Sequence, residues 1–124
     1  MPATVITDEI TDIATLQTIL AKNDSIIFLK FSADWCGPCK KIAPTVEAWK
    51  AKFPETVTFY EIDIDESINI YSYFKTKKML AGIPSLMCWR SGNNTMIADY
   101  NVNNGDPVEV DGFFRTCELC IAKN

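Results

Sequence analysis

The sequence predicts an α/β fold in which a central mixed β-sheet of about five strands is flanked by four helices. Segments with strand and helix patterns alternate along the chain, in the order βαβαβ followed by αββα. Residues 26–32 are almost all apolar, which is typical of a central strand covered on both faces. Because 48% of the 124 residues are apolar, we expect a single domain over residues 1–124 with a core of its own.

The first half of the chain supplies three predicted strands and two predicted helices. The strands are expected over residues 4–6, 26–32 and 57–62. A helix over residues 11–21, with Thr11 as its N-cap, has apolar residues at helical spacing: Ile13, Leu16 and Leu20. A second helix over residues 36–52 contains Pro44, which should kink it. Its single apolar face is formed by Ile42, Val46, Trp49 and Phe53.

The second half supplies a hairpin between two helices. A short helix is expected over residues 67–74, and strands over 84–89 and 96–102 are joined by a turn at 91–94. The last helix starts with Asp106 as its cap, Pro107 in the first turn and Glu109 three residues after the cap. Its predicted buried stripe is Val110, Phe114, Cys117 and Ile121.

Composition argues against several classes of function. The net charge is −4 and no basic stripe is present, so nucleic-acid binding is not expected. No apolar run reaches about 18 residues and the start lacks a secretory pattern, so we expect a cytoplasmic protein without a membrane span. The absence of histidine excludes Cys–His and Ser–His catalysis and every metal site that needs an imidazole. Because the start lacks a secretory pattern, the five cysteines are expected to be reduced, catalytic or buried, and not to form a framework of structural disulfides.

The segment Trp35-Cys36-Gly37-Pro38-Cys39 carries the strongest functional signal. It lies where the predicted central strand leads into a predicted helix. Two thiols at this spacing can close a small disulfide ring, and the first can attack the disulfide of another protein. A cysteine at a helix N-terminus faces unpaired N–H groups and the positive end of the helix dipole, which stabilise thiolate over thiol. The motif therefore predicts a thiol–disulfide oxidoreductase.

Two segments of the chain resemble the thioredoxin family. Residues 33–44 resemble the active-site segment of that family almost residue for residue, and residues 82–86 resemble its cis-proline loop. The order of predicted elements also fits, so the resemblance covers nearly the whole chain. It implies the thioredoxin fold and the reduction of protein disulfides. It further implies a monomer without cofactor or metal of its own, which receives electrons from a thioredoxin reductase that uses flavin and NADPH. Electron transport and cell redox homeostasis would be its setting.

The resemblance also implies roles for individual residues. Cys36 would be the nucleophilic thiolate and Cys39 the buried resolving thiol, joined as the redox disulfide Cys36–Cys39 after each turnover. The peptide bond between Ile83 and Pro84 would be cis, a rare geometry that marks a site. The implied substrate contacts are Trp35, Gly37, Pro38, Ile83, Pro84 and Val102.

Lys30 is the main departure from the family pattern. At this position, six residues before Cys36, the family has a buried aspartate that manages a proton of the dithiol, and a lysine faces it where this chain has Glu61. We expect Lys30 and Glu61 to form a charge-swapped catalytic pair, since a lone buried charge is costly. The alternative is that Lys30 reaches solvent along a sheet edge. A charged Lys30 would favour thiolate and make the protein less reducing, whereas a neutral Lys30 would accept the proton itself.

Two smaller departures lie near the predicted substrate surface. Asn103 stands where the family has glycine, which should make that rim bulkier and more polar. Extra residues at 75–78 include three lysines, and we expect a solvated turn there, with selection of acidic partners as the alternative. Asp63 and Asp65 at a strand end are expected to serve the loop, not catalysis.

The remaining cysteines are expected to be structural. Cys117 and Cys120 repeat the spacing of the motif near the end of a helix, where we expect Cys117 inside and Cys120 partly exposed. The alternatives are a regulatory or intermolecular disulfide, and a zinc site shared with Cys36 and Cys39, which a separation of roughly 77 residues disfavours. Cys88 is expected in the core, and Trp49 and Trp89 are expected to be core or rim aromatics.

The sequence leaves two other functions open. The same scaffold can act as a redox-independent binding subunit through the surface around Trp35 and Pro84, or as a more oxidising exchange protein because of Lys30. Since both thiols of the motif are present, the sequence favours an enzyme, a protein-disulfide reductase.

Overall fold

The computed structural model describes residues 2–7 and 9–122, with five strands and four helices. The strands are β1 (Thr4–Thr7), β2 (Ile27–Ser32), β3 (Thr58–Asp63), β4 (Ser85–Trp89) and β5 (Tyr100–Val102). The helices are α1 (Ile13–Ala21), α2 (Gly37–Lys52), α3 (Ile68–Thr76) and α4 (Pro107–Ala122).

The five strands form one mixed sheet in the order β1-β3-β2-β4-β5. The strands β1, β3 and β2 run parallel to one another, whereas β4 is antiparallel to both β2 and β5. The central position of β2 explains its apolar sequence, because both of its faces are covered. The prediction of a mixed five-stranded sheet with four helices is confirmed.

Helices cover both faces of the sheet and create two apolar cores. On one face, Phe28 of β2 and Phe59 of β3 pack with Phe114 of α4, with ring centroids 4.5–5.9 Å apart. Residues of α2 complete this core. On the other face, Phe31 of β2 packs against Phe74 of α3, next to buried leucines of α1. Because successive side chains of β2 point to opposite faces of the sheet, this strand contributes to both cores.

Two expectations about element boundaries are wrong. Helix α1 is capped by Asp12 instead of Thr11: its Oδ1 accepts a hydrogen bond of 2.7 Å from the Thr15 N–H. Strand β5 begins at Tyr100 and not at residue 96. The Asn93 amide donates to the Ile97 carbonyl and to Asp99, so side chains satisfy the polar groups of this loop in place of a strand ladder.

Helix α3 ends in a Schellman motif whose left-handed residue is a lysine. The Lys78 N–H donates to the Lys75 carbonyl and the Met79 N–H donates to the Phe74 carbonyl, at 3.0 and 2.9 Å. Lys78 has φ of +60°, a conformation that glycine adopts without the steric cost paid by other residues. The fold therefore keeps a strained residue at the exit of α3.

Replacement of Lys78 by glycine should stabilise the protein. We expect Lys78→Gly to raise the free energy of unfolding by about 1 kcal/mol, because glycine removes the clash of Cβ in this conformation. Urea unfolding followed by circular dichroism measures it. The matched control is Lys77→Gly, which should destabilise because Lys77 already has φ of −79°. Equal losses in both variants would contradict this account.

Candidate active site

The two cysteines of the motif lie at the first turn of α2. Cys36 is the N-cap, and its Sγ accepts a hydrogen bond of 3.1 Å from the Cys39 N–H. The sulfurs of Cys36 and Cys39 are joined in a disulfide, with the Cα atoms 5.3 Å apart. Pro38 occupies the first turn, where a missing N–H costs no helical hydrogen bond. The arrangement directs a backbone N–H that has no partner within the helix at the sulfur that is predicted to react.

Burial does not distinguish the two cysteines, because Cys36 and Cys39 as whole residues are only 3% and 6% exposed. The expected burial of Cys39 is confirmed, and Cys36 is covered as well. Trp35 beside them is 66% exposed, yet its indole N–H donates to Asp65 Oδ2 at 2.8 Å. Asp63 serves the loop as expected, by accepting from the Asp65 N–H. No sequence pattern signals the contact between Trp35 and Asp65, which lie 30 positions apart.

The strand register brings the cis-proline loop to the same end of the sheet as the dithiol. The Ile83–Pro84 peptide bond is cis, and Ser85, the next residue, pairs with Phe31 near the end of β2. Since β2 leads into Cys36, this loop and the motif meet at one end of the sheet. Val102 of β5 pairs with Leu86 and lies at the same end. The structure therefore gathers the six predicted substrate-contact residues at one end of the sheet.

The loop between β5 and α4 packs against both parts of this site. A Cβ on Gly105 would lie 2.7 Å from Cβ of Pro38, so no side chain fits at residue 105 without movement. Asn103 Oδ1 accepts a hydrogen bond of 2.8 Å from the buried hydroxyl of Ser85. Asn103 is exposed, as the sequence predicts for a polar rim, and it also satisfies a buried donor.

Lys30 and Glu61 form the expected pair. They are direct neighbours in the β2–β3 register, and Lys30 Nζ lies 3.5 Å from Glu61 Oε2. The Lys30 side chain is only 11% exposed on the central strand, so the alternative in which it reaches solvent along an edge is wrong. The charge-swapped pair that the sequence predicts is therefore present, and both side chains are mostly shielded from solvent.

Lys50 of α2 is a third member of this cluster that sequence reasoning missed. Its Nζ lies 3.1 Å from Glu61 Oε1 and 2.9 Å from Glu47 Oε2, and Lys50 is buried. The available signal was its position four residues after Val46 on the apolar face of the helix. Burial raises the pKa of Glu61, but the charges and hydrogen bonds of the two lysines outweigh it, so this pKa lies below its ordinary value of 4.5.

The other three cysteines lie in the core beneath α4. Cys88 and Cys117 are fully buried, as expected. A hydrogen bond with Cys117 that favours its protonated form, together with burial and the neighbouring thiols, raises the pKa of the Cys88 thiol, so it stays protonated. Cys120 was expected to be partly exposed, and this is wrong: it is buried, with its Sγ 3.5 Å from the Tyr100 hydroxyl.

The two CxxC pairs belong to different cores. The motif cysteines pack in the core that contains α1 and α3, whereas Cys117 and Cys120 pack in the core between the sheet, α2 and α4. This separation overturns the zinc site shared by the two pairs. Within residues 2–7 and 9–122, no group of three or more histidine, cysteine or acidic residues is arranged to hold a metal ion.

Comparison with known proteins matches this geometry to a family. The model of the thioredoxin family matches residues 8–108, which is most of the chain. The chain belongs to the thioredoxin family. It is 33% identical to thioredoxin-1 of Saccharomyces cerevisiae over 69 residues, which cover 56% of this chain and 62% of the yeast protein. It is also 33% identical to thioredoxin of Ophiophagus hannah over 84 residues, which cover 68% of this chain and 73% of that one.

Solved structures support the same fold. Thioredoxin from Trypanosoma brucei brucei superposes with a TM-score of 0.72 at 24% identity and covers 96% of this chain and 95% of its own. Thioredoxin O2 from Arabidopsis thaliana, in its oxidised state, gives 0.67 at 22% identity, with 92% and 94% covered. The fold is the thioredoxin fold, and the family together with the Cys36–Cys39 disulfide makes the chain a thiol–disulfide oxidoreductase. In the described part of the chain, no helix has the length and apolarity that a bilayer crossing requires.

Removal of the Glu61 charge should destabilise the protein in a pH-dependent way. We expect Glu61→Gln to lower the free energy of unfolding by about 1–2 kcal/mol near neutral pH, because the mostly buried Lys30 and Lys50 lose this carboxylate. The partial exposure of Glu61 to solvent limits the size of the loss. Since the folded pKa of Glu61 is lowered, its contribution is complete above the ordinary value of 4.5 and is lost as the pH falls through the folded value.

The measurement is urea unfolding of both proteins from about pH 7 to pH 3. The stability difference should stay constant down to about pH 5 and then shrink. The pKa values of Asp12 and Asp111 are also lowered, by hydrogen bonds from Thr15 and Arg115, but both residues are present in the two proteins and cancel. A difference that grows on acidification would contradict the assignment.

Proposed function

We propose that this protein reduces disulfide bonds of other proteins through Cys36 as nucleophile and Cys39 as resolving thiol. The observation that carries the proposal is the Cys36–Cys39 disulfide at the N-terminus of α2, with the Cys39 N–H donating to Cys36 Sγ. The first turn of a helix favours negative charge by about 1 kcal/mol, and the reduced Cys36 would carry that charge.

The reaction is a pair of thiol–disulfide exchanges. The Cys36 thiolate attacks one sulfur of the substrate disulfide, and the other sulfur leaves as a thiolate that takes up a proton. This step forms a mixed disulfide between enzyme and substrate. The Cys39 thiol loses its proton and attacks Cys36 Sγ, which releases the second substrate thiol after protonation. Two electrons and two protons reach the substrate, and the Cys36–Cys39 disulfide of the structure is the product.

Substrate contact would come from the surface around the dithiol. Trp35, Gly37 and Pro38 are exposed next to Cys36, and Ile83 is half-buried at the cis-proline loop. Backbone groups of an extended substrate segment would pair with those of Ile83, as in the addition of a strand to an edge. Val102 would border the same contact.

Family membership supports the rest of the cycle. A thioredoxin reductase that uses flavin and NADPH would restore the dithiol, so the chain would need no cofactor of its own. We propose that it works as a monomer in the cytoplasm, in electron transport and cell redox homeostasis.

The ionic cluster beneath the sheet supports a less reducing dithiol than in an ordinary thioredoxin. Lys30 and Lys50 share the single half-buried carboxylate of Glu61, and the further partner of Lys50, Glu47, is largely exposed. The charge of Lys30, on the strand that leads into Cys36, would stabilise the thiolate and therefore the reduced form.

Substitution of the two motif cysteines separates catalysis from simple binding. We expect Cys36→Ser to abolish the reduction of insulin driven by dithiothreitol, and Cys39→Ser to accumulate a mixed disulfide visible on a non-reducing gel. The control is Cys120→Ala, which removes a thiol outside the motif and should keep the activity. A wild-type rate of insulin reduction no higher than that of a variant with serine at both motif positions would instead support a redox-independent scaffold.

Two charge variants test the influence of Lys30. In Lys30→Met, Glu61 keeps Lys50 at 3.1 Å, so no carboxylate is left alone. We expect the pH profile of Cys36 alkylation by iodoacetamide to shift to higher pH. The equilibrium with glutathione should shift roughly fivefold toward the disulfide, the equivalent of about 1 kcal/mol. Glu61→Gln is the matched variant and should shift both in the opposite direction. Unchanged profiles in both variants would remove Lys30 from the mechanism.

A further inference from the structure

A cationic groove lies beside the cis-proline loop. It has a volume of about 430 Å³ and is lined by residues that include Lys75, Lys78, Met79, Ala81, Asn101 and Asn103. The groove joins the segment after α3 to the end of β5. Its residues come from stretches that are distant in the chain, so it is a property of the fold and not of the lysine run alone.

The groove touches the proposed substrate surface through two of its lining residues. Ala81 lies two positions before Ile83, and Asn103 is hydrogen-bonded to Ser85, the residue after the cis proline. An extended substrate segment that pairs with Ile83 would therefore pass the mouth of the groove within a few residues of the cysteine under attack.

The charge in the groove is not neutralised within the protein. No carboxylate lines it, and neither Lys75 nor Lys78 forms an ion pair in the part of the chain that the structure describes. Lys75 Nζ lies 5.6 Å from the ring centroid of Tyr71, an exposed contact that a carboxylate can replace at little cost. The chain as a whole has a net charge of −4, so this groove stands out against an acidic background.

Lys78 gives an independent reason to look for a role. It occupies the left-handed position of the Schellman motif, where glycine would avoid the cost that its φ of +60° imposes. An exposed lysine held in that conformation places a long cationic side chain in the groove at the expense of stability. Observed backbone strain of this kind concentrates at functional sites.

We propose that this groove selects disulfide substrates with an aspartate or glutamate close to the reacting cysteine. The carboxylate would pair with Lys75 and Lys78 and would accept hydrogen bonds from the side-chain amides of Asn101 and Asn103. The inference rests on the proposed function, because it names the substrate class of the same site. It assigns the lysines a part in specificity and none in the chemistry.

The test compares two disulfide peptides that differ in one residue. Both contain the same mixed disulfide with 2-mercaptoethanol, which has no charge of its own, and glutamate in one is replaced by glutamine in the other near the cysteine. Reduction is driven by dithiothreitol, so no reductase contributes. For the wild type we expect kcat/KM to be about three- to tenfold higher for the glutamate peptide at low ionic strength, and this ratio to approach one in high salt.

The variant Lys75→Gln/Lys78→Gln should bring the ratio close to one. The matched control Lys22→Gln/Lys77→Gln removes the same charge outside the groove and should keep the wild-type ratio; Lys77 lies over Tyr73, on the side of α3 that faces α1. The single variant Lys78→Gly should lower the ratio while it raises the unfolding midpoint, which excludes misfolding as the cause.

Three results would overturn the inference: a wild-type ratio of one, an unchanged ratio in the groove variant, or an equal fall in the control. If the wild type reduces both peptides equally well, the proposed function stands and the groove has no part in selection. If it reduces neither peptide nor insulin, the proposed function itself fails.

Discussion

The hydrogen bond from the Cys39 N–H to Cys36 Sγ is the constraint on which the site depends. It can form only if Cys36 is the N-cap of α2, and that requires β2 to end just before the motif. The buried position of β2 at the centre of the sheet fixes this end point. The chemistry of the dithiol is thus set by where an apolar strand stops and a helix starts.

The sequence predicted the parts of the fold that follow from strong local patterns. The unbroken apolar run of β2, the apolar face of α2 and the Asp106 cap of α4 each satisfy a local rule, and the structure contains all three. These three features need no knowledge of the distant chain. The pair of Lys30 and Glu61 was also predicted, but from the resemblance to the family and not from a local pattern, and the register of β2 and β3 brings the two residues together.

The features that the sequence did not predict share another cause. The contacts of Trp35 with Asp65 and of Lys50 with Glu61 join residues that are distant or on different elements, and no periodicity encodes them. The late start of β5 depends on competition between a strand ladder and the side-chain hydrogen bonds of Asn93. Such choices are decided by a difference of about 1 kcal/mol, which a pattern of apolar residues does not resolve.

Chemistry and recognition are built from different segments of the chain. The reacting cysteines belong to one continuous segment that runs from β2 into α2, whereas the groove combines the end of α3 with the edge of β5. A change at Lys78 alters neither the strand that positions Cys36 nor the helix that stabilises its charge. Because the left-handed conformation of Lys78 costs stability that glycine would recover, a lysine retained there is better explained by what it binds than by what it stabilises.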